Sequence, residues 1–405
     1  MLALKLIAKN CVLYFTFKIY NLERLFHIKT NSSSAAFPEI GISLVLRARM
    51  PQSTSGWSEV SGWTHIQSSD TGHFLFGAPL VNKESRFELP KSGIYFASLS
   101  VHLSQADIGV FHAAFILNGQ IDKRNKAMTA VKQGHPGADF SLTVSGFMDL
   151  RSGDQISVFI LSEEDKDWFI ENDSQFSLRY SGSVGSFPAF SAIKDGVTPF
   201  SPFSFSQIIR NWETSGSQGL FASLTGFSTS TGEFVPICDG IYFVASNVRV
   251  QAGPGLYKLY LSVSGNVLDP FLVESVIGAD AVFTMNLQGA FYFKKGDKIS
   301  LNINSSNQST ELSIHPNSGF SLSYIDAFNQ SSLQGVSTVT QIANEIPGTG
   351  WMEISTWAIP LNAHVQFYNP KVFQRGRFSC TQGGTYYVSV SIRLLVLFFL
   401  YYSIF

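Results

Sequence analysis

Apolar and polar residues alternate one by one through several blocks of this chain. Phe140, Leu142 and Val144 alternate with Ser141, Thr143 and Ser145, and Phe283, Met285 and Leu287 alternate with Thr284, Asn286 and Gln288. Ile156, Val158 and Ile160 show the same spacing as Ile299, Leu301 and Ile303, and Phe176, Leu178 and Tyr180 match Phe320, Leu322 and Tyr324. A period of two puts every second side chain on one face, which predicts half-buried β-strands. No stretch inside these blocks sustains a helical period. Gly153-Asp154, Gly296-Asp297, Asn118-Gly119 and Ser264-Gly265 separate the blocks and predict tight turns.

The paired blocks belong to a long internal repeat. FELPKSGIYFAS, FVPICDGIYFVAS and FSCTQGGTYYVS each place a Phe six positions before a Gly, with an aromatic pair two and three positions after it. Those pairs are Tyr95/Phe96, Tyr242/Phe243 and Tyr386/Tyr387. Gly93, Gly240 and Gly384 are separated by 147 and 144 residues, and Trp63, Trp212 and Trp351 each open a copy. Matches in register at one long spacing predict tandem whole domains rather than a solenoid. A slip of one residue would swap the faces of a strand, so the preserved phase predicts the same core face in both copies. The expected organisation is an undefined segment at 1–36, all-β units at 37–182 and 187–326, and an incomplete third copy at 336–405. Short strands over about 140 residues predict a sandwich or jelly roll.

Composition narrows the function. The 405 residues include 28 Lys and Arg against 29 Asp and Glu, so binding to nucleic acid by phosphate neutralisation is not expected. With 36 Phe, 14 Tyr, 6 Trp and 33 Gly, the chain suits pleated surfaces and turns. Cys11, Cys238 and Cys380 form no CxxC and no cluster with His, which argues against zinc and against a disulfide framework. Asn-x-Ser/Thr acceptors at Asn31, Asn172, Asn304, Asn307 and Asn329 favour an extracellular glycoprotein. Lys5, Lys9 and Lys18 interrupt the apolar start, and 394–405 is shorter than the ~20 residues of a membrane helix. Neither end is therefore expected to be a signal peptide or a membrane span.

In family order, the motifs are AFSA at 189–192, Gly-x-Tyr-Phe at 93–96 and 240–243, Asn118-Gly119, and Leu-x-x-Gly-Asp at 150–154. The Phe-Ser-Leu strands at Phe176 and Phe320 complete the set. Together these resemble the complement C1q/tumour necrosis factor superfamily. The resemblance implies tandem ten-stranded jelly-roll sandwiches, with a truncated third copy, that associate as trimers. Three complete copies on one chain would permit a closed pseudo-trimer. The chain lacks the collagen-like stalk of one branch and the clear membrane anchor of the other. The Asn-Gly turn and AFSA strand favour the complement-like side. Implied partners are an extracellular protein or glycan, with a cytokine-like receptor ligand or a matrix protein as alternatives. A half-complete third copy would expose its inner face, so 331–405 is expected to fold poorly by itself.

No constellation for catalysis stands out. The eight His are scattered, and there is no nucleophile elbow or P-loop. Lys295-Gly296-Asp297 reads as a turn, because Ser152-Gly153-Asp154 sits at the same place in the other copy. Glu163, Glu164, Asp165 and Asp167 offer oxygens to calcium, a hard cation, although a solvated loop accounts for them as well. No cofactor is otherwise implied. Opposite the core face, copy one carries Ala114, Ile116, Phe159 and Leu161, an apolar set expected to be covered by a partner or a loop.

Overall fold

The computed structural model describes residues 26–28, most of 41–65, 81–82, most of 85–326, and the short strands 373–374, 377–378 and 384–386. Among these residues there is no helix, and the chain is all-β. Most of the third repeat lies outside the described residues.

Two jelly-roll sandwiches share one strand order. In the first, Gly41–Leu46, Gln175–Gly182, Gly93–Ala106 and Ala138–Leu150 lie side by side in one sheet. The facing sheet runs Lys126–Gly134, Gly109–Leu117, Gln155–Ser162 and Arg86–Glu88. The second repeats this with Ala189–Ile193, Gly319–Asp326, Gly240–Ala252 and Ala281–Phe293 facing Asn266–Ile277, Gly255–Val263, Ile299–Ser305 and Glu233–Val235. First and last strands are neighbours in both (Phe176↔Leu44; Phe190↔Leu322). Consecutive sandwiches can therefore join at one end through a short connection. One pair, Lys132↔Phe283, joins the outer sheet of the first sandwich to the inner sheet of the second.

The alternating positions fill two separate cores. Phe140, Leu142, Val144, Ile156, Val158, Ile160, Phe176 and Leu178 are buried in the first, and their counterparts from Phe283 to Leu322 in the second. Each such side chain contributes roughly 1.5–3 kcal/mol through its removal from water. Local details repeat too. The Trp63 indole donates to Val60 O (3.0 Å) and the Trp212 indole to Ile209 O (2.7 Å). The Tyr95 and Tyr242 hydroxyls donate to Lys91 O and Cys238 O, four residues back in each case. Asn118-Gly119 and Ser264-Gly265 turn with positive φ at both positions, the backbone of a tight two-residue hairpin. At the Gly-Asp turns, Asp154 and Asp297 carboxylates accept from Arg151 N and Lys294 N at 2.8 Å, while Gly153 and Gly296 supply positive φ.

Candidate assembly interface

Successive strand residues point to opposite faces, so a strand that buries one of two adjacent aromatics must present the other outward. Tyr95 and Tyr242 enter their own cores. Phe96 and Phe243 turn away from those cores and meet each other between the sandwiches. Their ring centroids lie 5.1 Å apart, with Phe147 at 5.1 Å from Phe96 and 6.1 Å from Phe243. Ile94, Ala189, Phe221 and Ala245 are buried with them. Edge-to-face rings at these separations add about 0.5–1.5 kcal/mol per pair beyond the area they bury.

Polar contacts fix how the sandwiches meet. The Ala138–Leu150 strand pairs with Gly93–Ala106 on one side and, among the described residues, has no strand on the other. An unpaired edge normally leaves a row of N–H and C=O groups seeking partners. Here the second sandwich supplies them. The Asn247 amide accepts from Ser145 N (3.1 Å) and donates to Ser145 O, and the Ser321 hydroxyl accepts from Phe147 N (3.1 Å). The Asn286 amide donates to Thr143 O (2.9 Å), and Asp149 N donates to Gly219 O (3.1 Å). The Ser145 hydroxyl donates to Gln288 Oε1 at 2.7 Å. Burial pushes the Asp149 carboxyl above the ordinary carboxylate range, with Arg151 opposing this and Asp154 adding to it. The arrangement docks the edge of one repeat onto the sheet face of the next.

The residues singled out from sequence fall elsewhere. Ala114, Ile116 and Phe159 do share the face away from the core, and Leu161 is half-buried beside them. Trp57, from the Gly56–Glu59 strand, packs on that cluster, so the chain itself covers it. In the second sandwich the corresponding face is polar. Asn302 donates to the Ser262 hydroxyl (2.9 Å), Ser262 and Ser300 hydroxyls are 2.8 Å apart, and the Tyr260 hydroxyl donates to Ser206. Glu163 is exposed and bonded to His112 Nε2 at 2.8 Å. Its charge also opposes the lowering that burial imposes on the Arg249 pKa in the second sandwich. Asp167 is exposed, and Glu164 and Asp165 lie outside the described residues. Among the described residues no three His, Cys, Asp or Glu side chains converge as metal ligands. Asn172 is exposed and Asn304 half-buried, whereas Asn31, Asn307 and Asn329 lie outside the described residues.

The repeat pattern marks Phe96 and Phe243 as the second members of the aromatic pairs, without assigning them or Phe147 to an interface. The available signal was an aromatic on the non-core face of the same strand in both copies.

No family model and no curated protein matches the chain. Among solved structures, the Eiger tumour necrosis factor of S. frugiperda is similar at 12% identity and a TM-score of 0.29, over 36% of this chain and 96% of that one. Murine APRIL is similar at 18% identity and a TM-score of 0.27, over 35% of this chain and 98% of its own.

Proposed function

We propose that this chain is a non-enzymatic extracellular recognition protein whose jelly-roll repeats associate side by side and bind a protein or glycan through their surface loops. The tandem domains are 37–182 and 187–326, joined by the Ser/Gly-rich stretch 181–186. The contact between the repeats carries the reading: one edge is completed by side chains of the next repeat, and the three aromatics seal the contact. Both sandwiches have the same strand order, so each owns a docking edge and an accepting face. Beyond its single pair with Lys132, the Ala281–Phe293 strand of the second would dock onto a third unit that includes 336–405. If that unit presented such an edge to the face of the first carrying Ser100, Ser177 and Arg179, a pseudo-trimer would close. The acceptor sequences, with Asn172 on the surface, support the extracellular assignment.

The test is a panel of extracellular proteins and glycans presented to the purified full chain. Saturable retention of one member, with the ligand recovered unaltered, is expected. Ligand recovered chemically changed would overturn the non-enzymatic reading. Selective retention of a single cell-surface receptor would move the assignment to a cytokine-like ligand.

A further inference from the structure

The third repeat retains the Gly-Thr-Tyr-Tyr block at 384–387. In both described sandwiches that block opens the central strand of the inner sheet. It pairs antiparallel with the edge strand in one register: Gly93↔Leu150 and Tyr95↔Met148, then Gly240↔Phe293 and Tyr242↔Phe291. In the third repeat, Gly384–Tyr386 pairs antiparallel with Phe26–Ile28, from the other end of the chain. The partners are Gly384↔Ile28 and Tyr386↔Phe26.

This register assigns Ile28 to the position of Leu150 and Phe293, and Phe26 to that of Met148 and Phe291. The neighbouring sequence continues the match. Leu22 stands at the position of Val144 and Leu287, Asn21 at that of Thr143 and Asn286, and Leu25 at that of Phe147 and Ala290. After the strand, Lys29 takes the place of Arg151 and Lys294. Arg24 is the departure, standing where Gly146 and Gly289 stand. The other neighbour of the central strand fits worse. Aligned with Gln175–Gly182 and Gly319–Asp326, Arg24 would occupy the core positions of Leu178 and Leu322.

We propose that Phe26–Ile28 takes the edge-strand place beside Gly384–Tyr386, so that the third repeat draws a strand from ahead of the first repeat. The inference stands apart from any ligand and does not require the recognition function. The test uses the full chain with Cys11, Cys238 and Cys380 replaced by Ser. His27→Cys with Thr385→Cys places thiols on directly opposed residues, within the Cα reach of a disulfide. Mild oxidation should crosslink this pair about ten-fold more than Lys29→Cys with Thr385→Cys, which is two residues out of register. Equal yields, or no crosslink, would overturn the proposal. Hydrogen exchange on the unaltered chain gives a reading that needs no variant. Peptides spanning 26–28 and 384–386 should both exchange slowly, and exchange of either at the rate of an unstructured peptide would overturn the pairing.

Discussion

Asn247→Leu isolates the polar half of the inter-repeat contact. Asn247 is 1% exposed and its amide serves both backbone groups of Ser145. Leucine keeps the branched outline and the four side-chain heavy atoms of asparagine, with bulkier methyl groups, while both hydrogen bonds vanish. The Ser145 N–H and C=O would then be buried without this partner, at about 1–3 kcal/mol each. Burial of the leucine side chain returns about 1.5–3 kcal/mol of that loss. The net expectation is about 1–3 kcal/mol of destabilisation, confined to the contact, because Asn247 belongs to neither core cluster. Urea unfolding followed by tryptophan fluorescence reads this directly, since Trp63 and Trp168 report on the first sandwich and Trp212 on the second. With a slope of about 1–3 kcal/mol/M, the midpoint should fall by roughly 1 M, and the two sandwiches should unfold in separate steps. An unchanged midpoint with a single transition would refute the reasoning, because it would mean that the Asn247 amide does not hold the edge strand.

Four further outcomes are expected. Gly93→Ala should lower the melting temperature of the first sandwich, because φ is +152° there and a Cβ would sit 2.5 Å from Gly182 O and 2.6 Å from the Tyr180 ring. The cost is of the order of 2 kcal/mol or more, and a wild-type melting curve would contradict the geometry. Burial pushes the Tyr95 phenol up from 10.0 to about 12, with Tyr180 adding to it, and pushes Tyr242 up as well. A folded pKa above the unfolded one gives stability that is complete below pH 10 and is lost as pH rises through the folded value. Guanidinium midpoints should therefore fall between pH 10 and 12, and less so in Tyr95→Phe and Tyr242→Phe, which should each lose about 0.5–1.5 kcal/mol at neutral pH. Lys194 is 2% exposed and its ammonium donates to Arg210 O (2.6 Å) and Asn211 O (2.8 Å). Removing that donor in Lys194→Met should cost the second sandwich about 2–4 kcal/mol in denaturant titration, whereas an exposed lysine would cost nothing measurable. Limited proteolysis should cut first within 183–186, where all four residues are exposed, and early cleavage inside Ala138–Leu150 would contradict the docked edge.

The strand pattern was legible in sequence because the side-chain period of a strand is a local property. Phe140, Leu142 and Val144 alternate with polar neighbours whatever lies beyond, and the second copy, written in the same phase, repeats the message. Turn chemistry is local as well. Asn118-Gly119 and the two Gly-Asp pairs turn as their residue types require, and this, with the phase, is enough to imply a jelly roll. The contact between repeats is different in kind. Nothing near Asn247 in sequence indicates that its amide meets Ser145, 102 residues earlier, because hydrogen bonding between two faces depends on how whole sheets are placed. The cover over Ile116 and Phe159 was invisible for the same reason. An apolar face signals that something must lie on it, but only the folded chain brings Trp57 there. The amino-acid order determined which faces are apolar, and tertiary structure alone decided which of them meet.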